Sequence, residues 1–144
     1  MEKSYPRYLT DEEQEVAARL LYIVPREFAT KEPLIDDVTL KMMRLWRSQR
    51  KDQTAGDWRG FHGCVCGAYS SSRDHVIRPD ERTILITNSL CVHYLAHHRD
   101  EVPRMELAKI LCLPDVPHTG DEKPTLDELQ GWRTKPDPMK TRFR

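Results

Sequence analysis

Cys64-Val65-Cys66-Gly67, followed downstream by His93 and His97, is the stretch that we expect to decide the fold of this chain. Two cysteines separated by one residue point their thiols to the same side of an extended backbone. His93 and His97 lie one turn apart on a helix predicted to run to about Asp100, so both imidazoles share one face. Two thiolates and two imidazoles are the ligands that Zn2+ takes in a closed structural site. The pattern therefore predicts one structural zinc ion bound by Cys64, Cys66, His93 and His97.

Three other side chains compete for the metal. His62 lies two residues before Cys64 and shares its strand face. Cys91 and His98 lie about 200° and about 140° from His93 on a helix that turns about 100° per residue, which favours a core or surface position for both. His98 is the more credible substitute, because zinc fingers tolerate H-x3-5-H spacings.

The remaining cysteines and histidines are assigned to roles away from the metal. We expect Cys91 and Cys112 to be buried thiols, since cysteine is among the most buried residue types. His75, beside Asp74, is predicted to be a surface residue, and His118 lies in a polar tail without any metal-binding pattern.

The rest of the chain predicts an α+β fold, mainly helical, in which two N-terminal helices pack on a small zinc-stabilised module of a hairpin and a helix. A capping box at Thr10 and Glu13 opens the first helix, and apolar residues at helical spacing carry it to Pro25. The second helix is expected from Pro33 to about Arg50. Residues 51–57 read as a polar linker, and residues 83–86 as a strand of the hairpin.

Proline content divides the chain into a body and a tail. Residues 1–112 are interpreted as a single domain, with a helical half at 1–50 and a zinc-binding half at 58–112. Residues 113–144 are a proline-punctuated tail that contains a second capping box at Thr125 and Glu128. We expect this tail to fold back on the body through Trp132.

Composition restricts the function classes. The chain has 144 residues, a formal net charge of zero and 32% charged residues, so it offers no overall positive field to attract a polyanion. The N-terminus lacks signal-peptide features, and no apolar run approaches the roughly 20 residues of a membrane span. Cysteines interspersed with regularly spaced histidines favour metal over disulfides. We therefore expect a cytoplasmic protein that does not enter the membrane.

Residues 64–98 resemble a C2H2-type zinc finger, in which a cysteine hairpin precedes a helix carrying H-x3-H. The resemblance departs from that family in the C-x-C spacing and in the long segment before His93. It implies a zinc site built from a turn and a helix. Such fingers often bind DNA through the helix face that leads to the histidines, but here that face carries Thr87, Asn88, Ser89 and Val92, without an arginine or lysine to contact guanine.

Three functions compete. Our hypothesis is a small zinc-stabilised protein, not an enzyme, that acts by binding a protein partner through the tail and the loop at residues 69–80. The first alternative is nucleic-acid binding by the basic helix at residues 41–51, in which Arg44, Arg47 and Lys51 would share one face. The second is a zinc-dependent hydrolase. The helix lacks the glutamate of H-E-x-x-H, because Tyr94 follows His93, so we assign no catalytic residue.

Overall fold

A computed structural model describes residues 7–27, 29–57, 63–71, 73–117 and 120–130. Within these ranges, the strands are β1 (Arg7–Tyr8), β2 (Ala18–Arg19), β3 (Arg50–Asp57), β4 (Arg73–Ile77) and β5 (Leu85–Thr87). The helices are α1 (Asp11–Val16), α2 (Asp37–Arg47), α3 (Cys91–His97), α4 (Arg104–Cys112) and α5 (Leu126–Gln130), and Arg99–Glu101 forms a 3-10 turn.

The strands form one mixed sheet in the order β1-β3-β4-β5-β2. Its centre is antiparallel, with β4 between β3 and β5, and the short strands β1 and β2 join the two edges in parallel. The predicted architecture, a mainly helical α+β fold of two N-terminal helices packed on a hairpin-plus-helix module, is therefore wrong. The sheet is the scaffold, and the helices cover it.

The first helix begins as predicted but is much shorter. The Thr10 hydroxyl accepts the Glu13 N–H at 3.1 Å, and the Glu13 carboxylate accepts the Thr10 N–H at 2.9 Å, so the capping box is confirmed. The helix ends at Val16, whose side chain is 73% exposed.

The chain after Val16 joins the sheet instead of continuing the helix. The Leu20 N–H donates to the Ile86 carbonyl at 2.9 Å, and both Leu20 and Leu21 are fully buried. Leu21 takes a φ of 60°, which turns the chain away from the sheet. A short apolar run is compatible with either a helix or a strand, and the pairing with β5 decides here against the predicted helix.

Strand β3 occupies the segment predicted as a polar linker. Its residues lack an apolar pattern, yet Gln53 and Thr54 are buried. The Thr54 hydroxyl donates to the Asp74 carbonyl at 3.0 Å, and the Arg78 guanidinium donates to the Gln53 side-chain oxygen at 2.8 Å. A polar strand is tolerated inside a sheet when its buried groups are hydrogen-bonded in this way.

Alternating residues of the sheet supply two cores. Val76 and Ile86 join Leu9 and Ile84 in a small cluster on one face. Ile77 and Leu85 lie in the larger cluster with α2 and α3, whose fully buried side chains include Met42, Met43, Leu45, Leu90, Tyr94 and Leu95. This alternation follows from the two-residue period of a strand. The cysteine turn and α3 both contribute buried residues to the larger core.

The described part of the tail forms ion pairs with α2, and its helix α5 packs against α3. Arg47 makes two 2.7 Å contacts with the Glu128 carboxylate, and Arg44 contacts Glu122 at 2.8 Å. The capping box that opens α5 is present, with the Glu128 N–H 3.2 Å from the Thr125 hydroxyl. Trp132, the residue predicted to dock the tail, lies outside the described residues.

Candidate metal centre

The two cysteines lie in a tight turn closed by backbone hydrogen bonds. The Gly67 N–H donates to the Cys64 carbonyl at 2.9 Å, and the Cys64 N–H donates to the Ala68 carbonyl at 2.8 Å. Gly67 has a φ of 95°, a conformation that side-chain-bearing residues rarely adopt. The turn therefore requires glycine after the second cysteine, and it brings both sulfur atoms to the side of α3.

The two histidines come from the middle and the end of α3. His93 lies within the helix and is fully buried, whereas His98 is the C-cap residue, with φ −129° and ψ 33°. Because His98 has left the helical conformation, its angular position on an ideal helix does not describe where its ring lies. That departure brings a residue five positions after His93 to the same site.

Four ligand atoms converge between these elements. The donor atoms of Cys64, Cys66, His93 and His98 all lie within 4.8 Å of one another. Cys64 Sγ is 3.2 Å from His98 Nε2, and Cys66 Sγ is 3.2 Å from His93 Nε2. A tetrahedral zinc site with Zn–S near 2.3 Å and Zn–N near 2.0–2.1 Å requires S···N separations of about 3.5 Å. The two measured S···N separations are within about 0.3 Å of that value, and the four donor types are those of a Cys2His2 metal site.

His97, the fourth predicted ligand, is not part of this cluster. Its Nδ1 lies 2.7 Å from the Thr30 carbonyl oxygen, and its own carbonyl accepts the Thr30 N–H at 3.0 Å. The structure thus brings together Cys64, Cys66 and His93 from the predicted set and adds His98, the substitute considered from the sequence.

The outer nitrogen of His93 is hydrogen-bonded to an acceptor, and that of His98 has only a carboxylate beyond hydrogen-bonding distance. His93 Nδ1 lies 2.7 Å from the Leu129 carbonyl oxygen of α5, a contact that requires a proton on Nδ1 and leaves Nε2 to face the metal position. His98 Nδ1 is buried and lies 3.8 Å from the Glu101 carboxylate. The Leu129 carbonyl behind His93 is the kind of partner that ligating histidines have in zinc sites, because it fixes the tautomer and the ring orientation.

The cluster is largely closed to solvent. Cys64, His93 and His98 are 8%, 0% and 4% exposed. Burial raises the pKa of the Cys64 thiol to about 11 and lowers the pKa of His98. Without a cation, burial therefore favours the neutral forms of both groups, and a divalent ion would offset the charge of two thiolates. Cys66 is partly buried, and four protein donors in a largely closed pocket match a structural rather than a catalytic site.

The other candidate residues lie elsewhere. Cys91 is fully buried, as predicted, and Cys112 is exposed, contrary to the prediction. His75, predicted at the surface, lies in the central strand β4, where burial lowers its pKa to about 4. His62 and His118 lie outside the described residues.

The basic segment at 41–51 is not one helical face. Helix α2 ends at Arg47, and Lys51 lies in β3. Arg44 and Arg47 are paired with acidic residues of the tail. The Lys41 ammonium group donates to the Leu113 carbonyl at 2.6 Å.

Comparisons with known protein families, curated proteins and solved structures find no match to this chain. Among the described residues, no helix combines the length and the apolar character that crossing a membrane would require.

Proposed function

We propose that the protein binds one Zn2+ ion through Cys64, Cys66, His93 and His98, and that the ion is structural. The observation that carries this proposal is the convergence of four ligand atoms within 4.8 Å in a closed pocket. Zinc is the preferred metal for a Cys2His2 donor set, since thiolates and imidazoles suit a borderline-soft ion without geometric demands. A protein with thiolate ligands suits the reducing cytoplasm, which is where we place it.

The ion would connect three segments of the chain. The cysteine turn supplies two ligands, α3 and its C-cap supply two, and Leu129 of α5 holds the back of the His93 ring. In zinc-finger peptides, coordination contributes about 10–16 kcal/mol of apparent free energy, which exceeds the net stability of most domains. Metal binding and folding of this half of the chain would therefore be coupled.

The protein's action, on this proposal, is to bind another protein with the surface that the metal organises. Val65, between the two cysteines, is 47% exposed, and Leu126 at the start of α5 is 66% exposed. Both residues belong to segments that the site holds in place. The loop proposed from the sequence as a contact surface is less available, because its residues 73–77 form β4 in the centre of the sheet.

Nucleic-acid binding has less support than a protein partner. The Arg44 and Arg47 guanidinium groups are engaged by Glu122 and Glu128, which reduces the positive charge that phosphates could use. A salt-sensitive gel shift with mixed DNA and RNA would favour this alternative over ours. Catalysis at the metal is not proposed, since four protein ligands leave no open position for substrate or water.

Partner binding is tested with two single variants, each of which replaces an exposed valine by aspartate. Val65→Asp places a charge at the tip of the cysteine turn, and Val16→Asp makes the same change at a 73% exposed position on α1. Each zinc-loaded variant is immobilised and the recovered proteins are quantified by mass spectrometry. Relative to the unmutated chain, we expect the recovery of at least one protein to fall tenfold or more with Val65→Asp and to be unchanged with Val16→Asp. Equal recovery with both variants would contradict the proposed surface.

A further inference from the structure

A second constellation of polar side chains lies apart from the metal ligands, where three elements meet. Gln49 follows the C-terminus of α2, Ser71 precedes β4, and His75 lies within β4. Ser71 Oγ is 2.6 Å from His75 Nε2, and His75 Nδ1 is 2.7 Å from Gln49 Oε1. Gln49 lies 22 positions before Ser71, and Ser71 lies 4 positions before His75, so no local sequence pattern indicates this arrangement.

The neighbouring hydrogen bonds determine which atoms of Ser71, His75 and Gln49 carry the protons. The Gln49 amide nitrogen donates to the Trp46 carbonyl at 3.1 Å, which turns Oε1 toward the histidine. His75 Nδ1 must then carry the proton that it donates to Oε1, and Nε2 is left with a lone pair. The Ser71 hydroxyl therefore donates to Nε2. This is the order of a nucleophile, a general base and an orienting group.

The serine and the histidine open onto a cavity of about 220 Å³. Trp46 and Val92 give it apolar walls, and the Trp46 ring packs edge-on against His75 with centroids 4.6 Å apart. The Ser89 hydroxyl also lines the cavity, and it accepts the Ser71 N–H at 2.7 Å. Ligand pockets for drug-sized molecules are usually about 300–1,000 Å³, so this cavity suits a small acyl group.

We propose that Ser71, His75 and Gln49 form a hydrolytic site for small, uncharged carboxylic esters. Ser71 Oγ attacks the ester carbonyl carbon while His75 Nε2 takes the hydroxyl proton. Collapse of the tetrahedral adduct breaks the acyl C–O bond, and His75 returns the proton to the departing alcohol. Water then attacks the acyl-serine by the same route, which releases the carboxylic acid and restores Ser71. Ser89 can donate its hydroxyl proton to the oxyanion.

Gln49 is a positioning residue in this scheme. It holds the tautomer that the reaction needs, as an amide does in Cys-His-Asn proteases, but it is neutral and stabilises an imidazolium less than a carboxylate would. The acidic residues that line the cavity, Asp127 and Glu128, disfavour anionic substrates. Turnover is therefore expected to be slow and selective for uncharged esters with good leaving groups.

The pH dependence of the site follows from its surroundings. Burial and the nearby Arg73 lower the pKa of His75, while Asp74 raises it, and the net value is about 4. From the other packed elements, Trp46 and Gln49 of the α2 end are uncharged, and Asp127 and Glu128 of α5 face the cavity, where Glu128 is paired with Arg47. His75 is therefore neutral above about pH 5, and kcat/KM is expected to be flat from pH 6 to 8 and to fall at lower pH.

The site is tested with the full chain loaded with zinc. Hydrolysis of p-nitrophenyl acetate is followed, and a separate sample is treated with an alkyl fluorophosphonate, which reacts with activated serines. We expect the adduct on Ser71 itself rather than on the neighbouring Ser70 or Ser72. We also expect Ser71→Ala to lower kcat/KM by about 100-fold or more, the range of a lost acid–base-assisted step. Ser48→Ala is the matched control, because its hydroxyl donates to the Leu45 carbonyl away from the cavity.

A further variant separates catalysis from structure. Gln49→Glu places a carboxylate beside His75 Nδ1, which raises the histidine pKa and should move the acid limb of kcat/KM upward by at least one pH unit. Absence of any adduct at Ser71 in the unmutated chain would overturn the proposal even if a variant failed to fold. So would a folded Ser71→Ala chain that hydrolyses the ester as fast as its parent. Neither result would bear on the zinc site, which uses other residues.

Discussion

His93 Nδ1 lies 2.7 Å from the carbonyl oxygen of Leu129, so the imidazole that faces the Cys66 sulfur is held from behind by the C-terminal helix α5. Through this contact, we expect packing of the tail and geometry of the candidate metal site to depend on each other.

Replacing His98 should weaken zinc binding, and replacing His97 should not. His98 Nε2 faces Cys64 Sγ at 3.2 Å, whereas His97 Nδ1 contacts the Thr30 carbonyl. His98→Ala should weaken zinc binding at least tenfold and lower the thermal midpoint, and His97→Ala should retain one zinc per chain. Competition with a chromogenic chelator measures both. The opposite ranking would restore the ligand set expected from an unbroken helix.

The turn should tolerate alanine before the first cysteine but not after the second. Gly67→Ala forces a side chain into a φ of 95°, which costs about 1–3 kcal/mol. Gly63→Ala is the control, because among the described residues its added Cβ would meet only the Tyr69 ring, at 3.8 Å. Urea unfolding of the zinc-loaded proteins compares the two. Equal stability would mean that the turn differs from the one described.

The Arg47–Glu128 pair should hold the tail. Its side chains are 17% and 10% exposed, and hydrogen bonds to charged groups contribute about 1.5–3 kcal/mol when protected from solvent. Arg47→Met should therefore lower the free energy of unfolding by about that amount and weaken zinc binding through the Leu129 contact.

Arg50→Met provides the control for this change. The Arg50–Asp52 pair is 45% and 64% exposed, and surface pairs contribute about 0–1 kcal/mol. A zinc affinity that is the same in Arg47→Met as in Arg50→Met would separate the tail from the metal site and contradict the connection through Leu129.

At acid pH, Glu13 should no longer contribute to the stability of the folded protein. Its backbone hydrogen bond with Thr10 and its pairing with Arg78 lower its pKa from 4.5 to about 2. The folded state therefore binds this proton less readily than the unfolded state. The stabilisation is complete above about pH 4.5 and is lost as the pH falls toward 2. In the Glu13→Gln variant, the free energy of unfolding should depend less on pH across that window. Urea unfolding at several pH values measures it. An unchanged slope in the variant would exclude the assigned role.

The parts of the fold that local chemistry encodes were predictable from the sequence. Both capping boxes, at Thr10 and Thr125, depend on residues three positions apart, and both are present. The predicted strand at residues 83–86 overlaps β5 (Leu85–Thr87) at residues 85 and 86. The sheet itself was not predictable, because β3 is polar and is stabilised by partners distant in sequence. The contact between Thr54 and Asp74 spans 20 residues.

The candidate metal site was partly predictable, because some of its features are local in sequence and others are not. The C-x-C-G turn is a local feature, and it encodes both the thiol pair and the need for glycine. The choice between His97 and His98 depends on where α3 ends, and an ideal helix extended to Asp100 gives the wrong face for His98. The half-buried position of His75 was missed because its partners, Gln49 and Ser71, come from other parts of the chain.

The central claim is a zinc ion held by two sulfurs and two nitrogens. Metal analysis of the purified protein, with X-ray absorption at the zinc edge, tests it most directly. We predict one zinc per chain, with two Zn–S distances near 2.3 Å and two Zn–N distances near 2.0–2.1 Å, and loss of both sulfur contacts in a Cys64→Ser, Cys66→Ser chain. A protein that folds without zinc, or binds it through a shell that contains no sulfur, would contradict the account.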